Sequence, residues 1–104
     1  MVTRESVFKL TRELGYPSYD DLFILHRWLV DNGIICLVTH YYEATWTHNN
    51  IQWEITMYNK KDKTSQSVSR IGFKTYEDAF LNVLVDGLKE KQKNDNQDKS
   101  NKLN

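Results

Sequence analysis

One cysteine, Cys36, three histidines, His26, His40 and His48, and the acidic pairs Asp20-Asp21 and Glu77-Asp78 are the residues from which nucleophilic, metal or acid–base chemistry would be built. A metal centre takes ligands that converge at short range, commonly His or Cys pairs two to four residues apart, and the three histidines do not offer that spacing. A hydrolytic or metal enzyme would need the fold to bring His40, His48 and one carboxylate together. Cys36 stands between Ile35 and Leu37 in an apolar run, the setting of a small buried hydrophobe rather than of an activated thiolate. Both acidic pairs fall where helices are expected to start, and the positive end of a helix accounts for them without catalysis. There is no G-x-S-x-G turn, no Gly-rich phosphate loop and no H-E-x-x-H helix. The sequence therefore reads as a non-enzymatic protein with no cofactor and no metal.

Two surfaces remain as candidates for contact. The segment holding Tyr41, Tyr42, Trp46, His48 and Asn49, with Asn50 beside them, groups amphipathic aromatics with amide side chains between two strands, a composition favoured in recognition sites. It is the expected contact for a protein partner. The alternative is a nucleic-acid contact through Lys60, Lys61, Lys63, Arg70 and Lys74. Fourteen Lys and Arg balance fourteen Asp and Glu, which removes the cationic field that phosphate binding relies on and disfavours that alternative.

These residues need elements to position them. Val7, Leu10, Thr11 and Leu14 recur at helical spacing within Thr3 to Leu14, and Gly15 stands where a helix commonly ends. Ser18 with Asp21 makes a capping-box-like start for a second helix with the stripe Leu22, Leu25 and Leu29, stopped by Asn32-Gly33. Ile34 to Val38 is dense in apolar residues and reads as a mostly buried strand continuing toward Tyr42. Ile51, Trp53, Ile55 and Met57 alternate with polar residues, the pattern of a strand with one face in a core. Val68, Ile71 and Phe73 indicate a third strand whose spacing slips near Ser69 and Arg70, where a bulge is expected. Thr75 with Asp78 repeats the capping arrangement ahead of Ala79, Phe80, Val83, Leu84, Gly87 and Leu88, a third helix closing near Lys93. From Asn94 to Asn104 a single apolar residue, Leu103, stands among polar ones, the composition of a disordered tail.

The expected architecture is a single α+β domain over residues 1–93, in the order α-α-β-β-β-α, with a polar tail over 94–104. Its three-stranded antiparallel sheet should carry the second and third helices on one face, with the first helix at an edge. A sheet of this size has two edges, which leaves monomer and homodimer through a sheet edge as alternatives. No stretch approaches the roughly 20 apolar residues of a membrane span, and Met1 to Leu10 lacks the pattern of a secretory signal, so the chain reads as soluble and cytoplasmic.

Three segments carry a resemblance. Phe8 to Pro17 (FKLTRELGYP), Leu25 to Ile34 (LHRWLVDNGI) and Tyr76 to Phe80 (YEDAF) leading to Leu84 and Leu88 are similar to a group of small uncharacterised proteins of Bacteroides-type bacteria and of their phages and mobile elements. The likeness spans roughly residues 5 to 90, and the chain departs from it in having Val30 where a basic residue usually follows Trp28-Leu29. It implies a fold and an origin, and no activity, cofactor or catalytic residue. One helix, three antiparallel strands and a closing helix is also the element order of double-stranded RNA-binding domains. In that family clustered lysines open the closing helix, whereas this one opens Thr75-Tyr76-Glu77-Asp78-Ala79, and its hairpin lacks Gly-Pro-x-His.

Overall fold

The computed structural model describes residues 1–17, 19–44, 49–61 and 68–103, and within them leaves out the side chains of 41–44, 49–51, 68 and 100–103. The elements are α1 (Arg4–Glu13), α2 (Leu22–Asp31), β1 (Ile34–Ala44), β2 (Asn49–Asn59), β3 (Val68–Phe73) and α3 (Tyr76–Leu103), the α-α-β-β-β-α order read from the sequence. The strands form an antiparallel sheet in the order β1-β2-β3, and the helices form a second layer on one of its faces.

Local chemistry sets most boundaries. Thr3 accepts from the Ser6 N–H at 3.1 Å while the Ser6 hydroxyl accepts from the Thr3 N–H at 2.8 Å, so α1 starts on a reciprocal cap. It stops at Gly15, whose φ of +76° lets the Gly15 and Tyr16 N–H groups donate back to the Arg12 and Thr11 carbonyls. The start of α2 differs from expectation. Its N-cap is Asp21, whose carboxylate accepts from the Phe23 N–H at 2.8 Å, while Ser18 lies outside the described residues.

All three helices run the same way. Met1–Arg4 line one cleft with Lys74–Leu81, and Leu14–Tyr16 line another with Gln92–Lys99, so α1 lies parallel to α3. Phe23 packs on Phe80 at 5.2 Å between ring centroids, and Trp28 on Tyr16 at 5.1 Å, which fixes α2 in the same sense. The segment from Tyr16 to Asp21 must then run back over the length of a ten-residue helix, roughly 15 Å, which five extended residues span.

The core joins Val7 of α1, Leu22, Leu25 and Leu29 of α2, Ile34 and Cys36 of β1, Ile55 and Met57 of β2, and Ala79, Phe80, Val83, Leu84 and Leu88 of α3. Because the helices cover one face only, β1 alternates instead of being buried throughout. Ile34 and Cys36 are inside while Leu37 is 49% exposed on the open face, where Tyr58 and Ile71 are also exposed. The irregularity in β3 falls at Gly72 rather than at Ser69-Arg70. Trp53 pairs with Phe73 but Glu54 with Ile71, so Gly72 is the extra residue, and its φ of +108° suits glycine.

The largest correction concerns the chain after Lys93. The third helix does not close there but continues to Leu103, and Asn94 is only 4% exposed. Asn59 Nδ2 donates to Glu90 Oε1 and to Asn94 Oδ1, both at 2.8 Å, and Asn94 Nδ2 donates to Asn59 Oδ1 at 3.1 Å. Tyr16 donates its hydroxyl proton to Asp95, and Lys61 pairs with Asp98. Polar composition suggests disorder because little apolar surface is available to bury, but here side-chain hydrogen bonds to distant segments hold residues 94–98 on the domain.

Candidate functional site

Cys36, His26, Asp21 and Asp78 make structural hydrogen bonds. Cys36 Sγ lies 3.6 Å from the Val83 carbonyl, and burial, reinforced by the charge of Asp86, pushes its pKa up to about 12. It is a thiol at neutral pH. His26 Nε2 is 2.8 Å from the Cys36 carbonyl, which can only accept, so that nitrogen carries the proton. Asp21 caps α2, and the Asp78 N–H donates to Thr75 Oγ1 at 3.1 Å in the cap of α3. Among the described residues no three of His, Cys, Asp and Glu are placed to hold a metal ion, and His48 lies outside them.

The basic candidates do not form one patch. Lys60 is exposed, but Lys61 pairs with Asp98 of α3, and Arg70 donates to Asp86 at 2.7 Å while lying over the Phe73 ring. Lys74 stands just past β3, next to the strand end that pairs with Trp53. Lys60 and Lys61 follow the opposite end of β2, roughly 20 Å away at about 3.3 Å per residue. Lys63 lies outside the described residues.

Trp46 and His48 are outside the described residues, as are the side chains of Tyr41, Tyr42 and Asn49. Their backbone positions are defined: Tyr42 pairs with Ile51 on the helix-bearing face, two residues beyond His40, whereas Tyr41 pairs with Gln52 on the open face, and Asn49 pairs with Ala44. Toward the helices a row of rings begins. His40 stacks on Trp53 with centroids 3.7 Å apart, Trp53 meets the edge of Tyr76 at 5.4 Å, and Tyr76 stacks on Phe80 at 5.7 Å. Phe80 in turn contacts Phe23 and the edge of His26.

Phe80 is anchored in the core, but the row ends in solvent, with Tyr76 42% and Phe23 63% exposed beside Ile24 at 50%. Phe23 and Tyr76 occupy the first turns of α2 and α3, which start at the same end of the molecule. Asp20 and Asp21 precede Phe23 in the sequence and Glu77 and Asp78 follow Tyr76, with Glu77 and Asp78 lining the cleft that α3 shares with Met1–Arg4. The arrangement offers π-faces and negative charge, a surface suited to a cation carried on an apolar stem. Sequence patterning does not join Phe23, His40, Trp53 and Tyr76 as a contact surface: His40 enters it only as a possible metal or hydrolytic residue, Trp53 only on the core face of its strand, and Phe23 not at all. A signal for Phe23 was present, since Phe23 and Ile24 are large apolar residues off the Leu22, Leu25, Leu29 stripe.

No family model, no curated protein and no solved structure matches the chain. The functional reading accordingly rests on the geometry above.

Proposed function

We propose that the chain is a non-enzymatic α+β binding module that contacts a protein partner through the row from His40 and Trp53 to Tyr76 and Phe23, and that the partner supplies an extended segment bearing lysine or arginine. The observation that carries this reading is the row itself, rooted on buried Phe80 and opening to solvent between two acidic helix starts. Each cation over an exposed ring contributes about 0.5–1 kcal/mol, so several rings in series are what a useful affinity requires. Tyr42 and Trp46 remain candidate contacts in this proposal. An accessory role in a phage or mobile element is the setting that the resemblance of Phe8 to Pro17, Leu25 to Ile34 and Tyr76 to Phe80 suggests. The nucleic-acid alternative loses support from the pairing of Lys61 and Arg70 with acids.

Amide-resolved NMR titration with an extended peptide of alternating lysine and valine, and with its glutamate counterpart, tests the reading. The lysine peptide is expected to shift His40, Trp53, Tyr76 and Phe23, and a Phe23→Ser, Tyr76→Ser double variant, altered only at exposed positions, is expected to lose the response. Equal response to both peptides, or none at millimolar concentration, overturns it. A short RNA duplex in the same experiment, shifting Lys60 to Lys74 at low salt only, would instead favour the nucleic-acid alternative.

A further inference from the structure

The two edges of the sheet are protected very differently. In β1 the residue pair Ile34–Asn59 is followed outward by a bond from the Lys60 N–H to the Gly33 carbonyl at 2.9 Å, which makes Gly33 and, by alternation, Ile35, Leu37, Thr39, Tyr41 and Glu43 the residues bonded to β2. The N–H and C=O groups of Cys36, Val38, His40, Tyr42 and Ala44 therefore face the free edge. An independent observation agrees: the Cys36 carbonyl is taken by the His26 ring, which belongs to α2 and not to the sheet. His26 closes the edge at Cys36, and among the described residues no backbone bond from outside the sheet reaches Val38 or His40.

Edge strands are ordinarily blunted by shortness, bulges, proline or lysine. On the other side, β3 has a bulge at Gly72 and only six residues, of which Ser69 and Ile71 face outward from the ladder. None of these devices occurs in β1, which runs for eleven residues in unbroken register with β2 and carries one charge, Glu43.

We infer that the β1 edge pairs with β1 of a second copy of this chain, antiparallel about a two-fold axis at Tyr41, to form a continuous six-stranded sheet. This register meets three constraints. Pairing must join residues that face the edge, and with the axis at Tyr41 Val38 meets Ala44 and His40 meets Tyr42 of the second copy. The Cys36 carbonyl, already bonded, is left out. The two His26 contacts stay apart, because the Cys36 positions that mark them lie roughly 33 Å from each other along the strands at about 3.3 Å per residue. Charge also permits it: the chain has zero formal net charge, and Glu43 falls opposite Thr39 rather than opposite its own copy.

The test is the mass of the full chain in solution by sedimentation equilibrium from micromolar to millimolar concentration, alone and as His40→Pro. Proline at a position whose N–H faces the free edge leaves the β1–β2 ladder intact, so this variant is expected to fold and to be monomeric where the wild type is a dimer. Isotope-filtered NOEs in a mixed labelled sample are expected between Thr39 and Glu43 of different copies. A monomeric wild type at millimolar concentration overturns the inference, as does a dimer that survives His40→Pro. If His40→Pro does not fold, the filtered NOEs on the wild type decide, and their absence in a dimer overturns the proposed pairing.

Discussion

α3 is held by two unlike kinds of contact along one continuous axis. From Ala79 to Leu88 its inner side is apolar and tightly packed. Gly87 shows how tightly: a Cβ there would stand 2.8 Å from Cys36 Sγ and 3.1 Å from Leu29 Cδ1. From Glu90 to Asp98 the same helix is fixed by amides and charges, with Asn59 and Asn94 facing each other and Tyr16, Lys61 and Lys91 bonded to carboxylates. The difference teaches where stability and geometry each come from. Burial is non-directional and large, whereas hydrogen bonds that replace bonds to water contribute less net free energy but define which residues meet. The first half anchors the aromatic row, and the second sets where the linker after α1 crosses.

Substitutions that act on one half alone should reveal this contrast, and the largest effect belongs to the apolar half. Leu84 is fully buried, and Leu84→Ala is expected to cost about 2–5 kcal/mol, read as a lower urea midpoint for the whole domain. A cost below about 1 kcal/mol would mean that this half is not the anchor.

An intermediate effect is expected from Asn59→Ala, which removes one bond to Glu90, strips Asn94 of its partner and leaves a buried amide without hydrogen bonds. The expected loss is about 1–3 kcal/mol, with amide exchange accelerated over residues 90–98 and little changed over 79–88. Equal acceleration in both halves would erase the distinction.

The smallest effect is a pH dependence confined to the polar half. Partial burial by itself raises the pKa of Asp95, but hydrogen bonds from Lys91 and Tyr16 and the charges of Lys91 and Lys61 outweigh it and hold the carboxyl below its ordinary value of 3.8. The folded state thus favours the carboxylate, so its contribution is complete at neutral pH and is lost as the pH falls through the folded value. Tyr16 has the opposite sign. Burial first, then its hydrogen bond to Asp95 and the charge of Asp95, raise it well above 10.0, and its contribution is complete below that pH and lost above it. Chemical unfolding followed across pH should show both limbs, and Asp95→Asn should flatten the acid one. An unchanged acid limb in Asp95→Asn would assign it to other carboxylates.

Legibility in the sequence follows the same division. Ile55 and Met57, Leu25 and Leu29, and Val83, Leu84 and Leu88 are periodic, and periodicity reports burial. The dense run at Ile34 to Val38 misleads about Leu37, because composition shows that a strand is apolar but not whether one or both faces are covered. Asn94 is misread for a related reason: its partner, Asn59, is distant in the chain and polar, and a single long-range amide pair leaves no repeating pattern. The aromatic row shares that difficulty. His40, Trp53, Tyr76 and Phe23 come from four elements, and their meeting depends on α2 and α3 running parallel, which no local pattern reports. The carboxylate pairs, by contrast, stand where helix electrostatics predicts them.

The parallel course of α1 and α3 also bears on the order of assembly. Val7 is completely buried, yet the element that α1 packs against is α3, and Tyr16 reaches Asp95 across 79 positions of sequence. During synthesis α1 is made before α3 and has no surface to dock on until α3 has left the ribosome. Ten residues are too few to persist as an isolated helix. The α2 and β1–β2 segments can collapse first, and the arrival of α3 would then order α1 and α3 together in one late step.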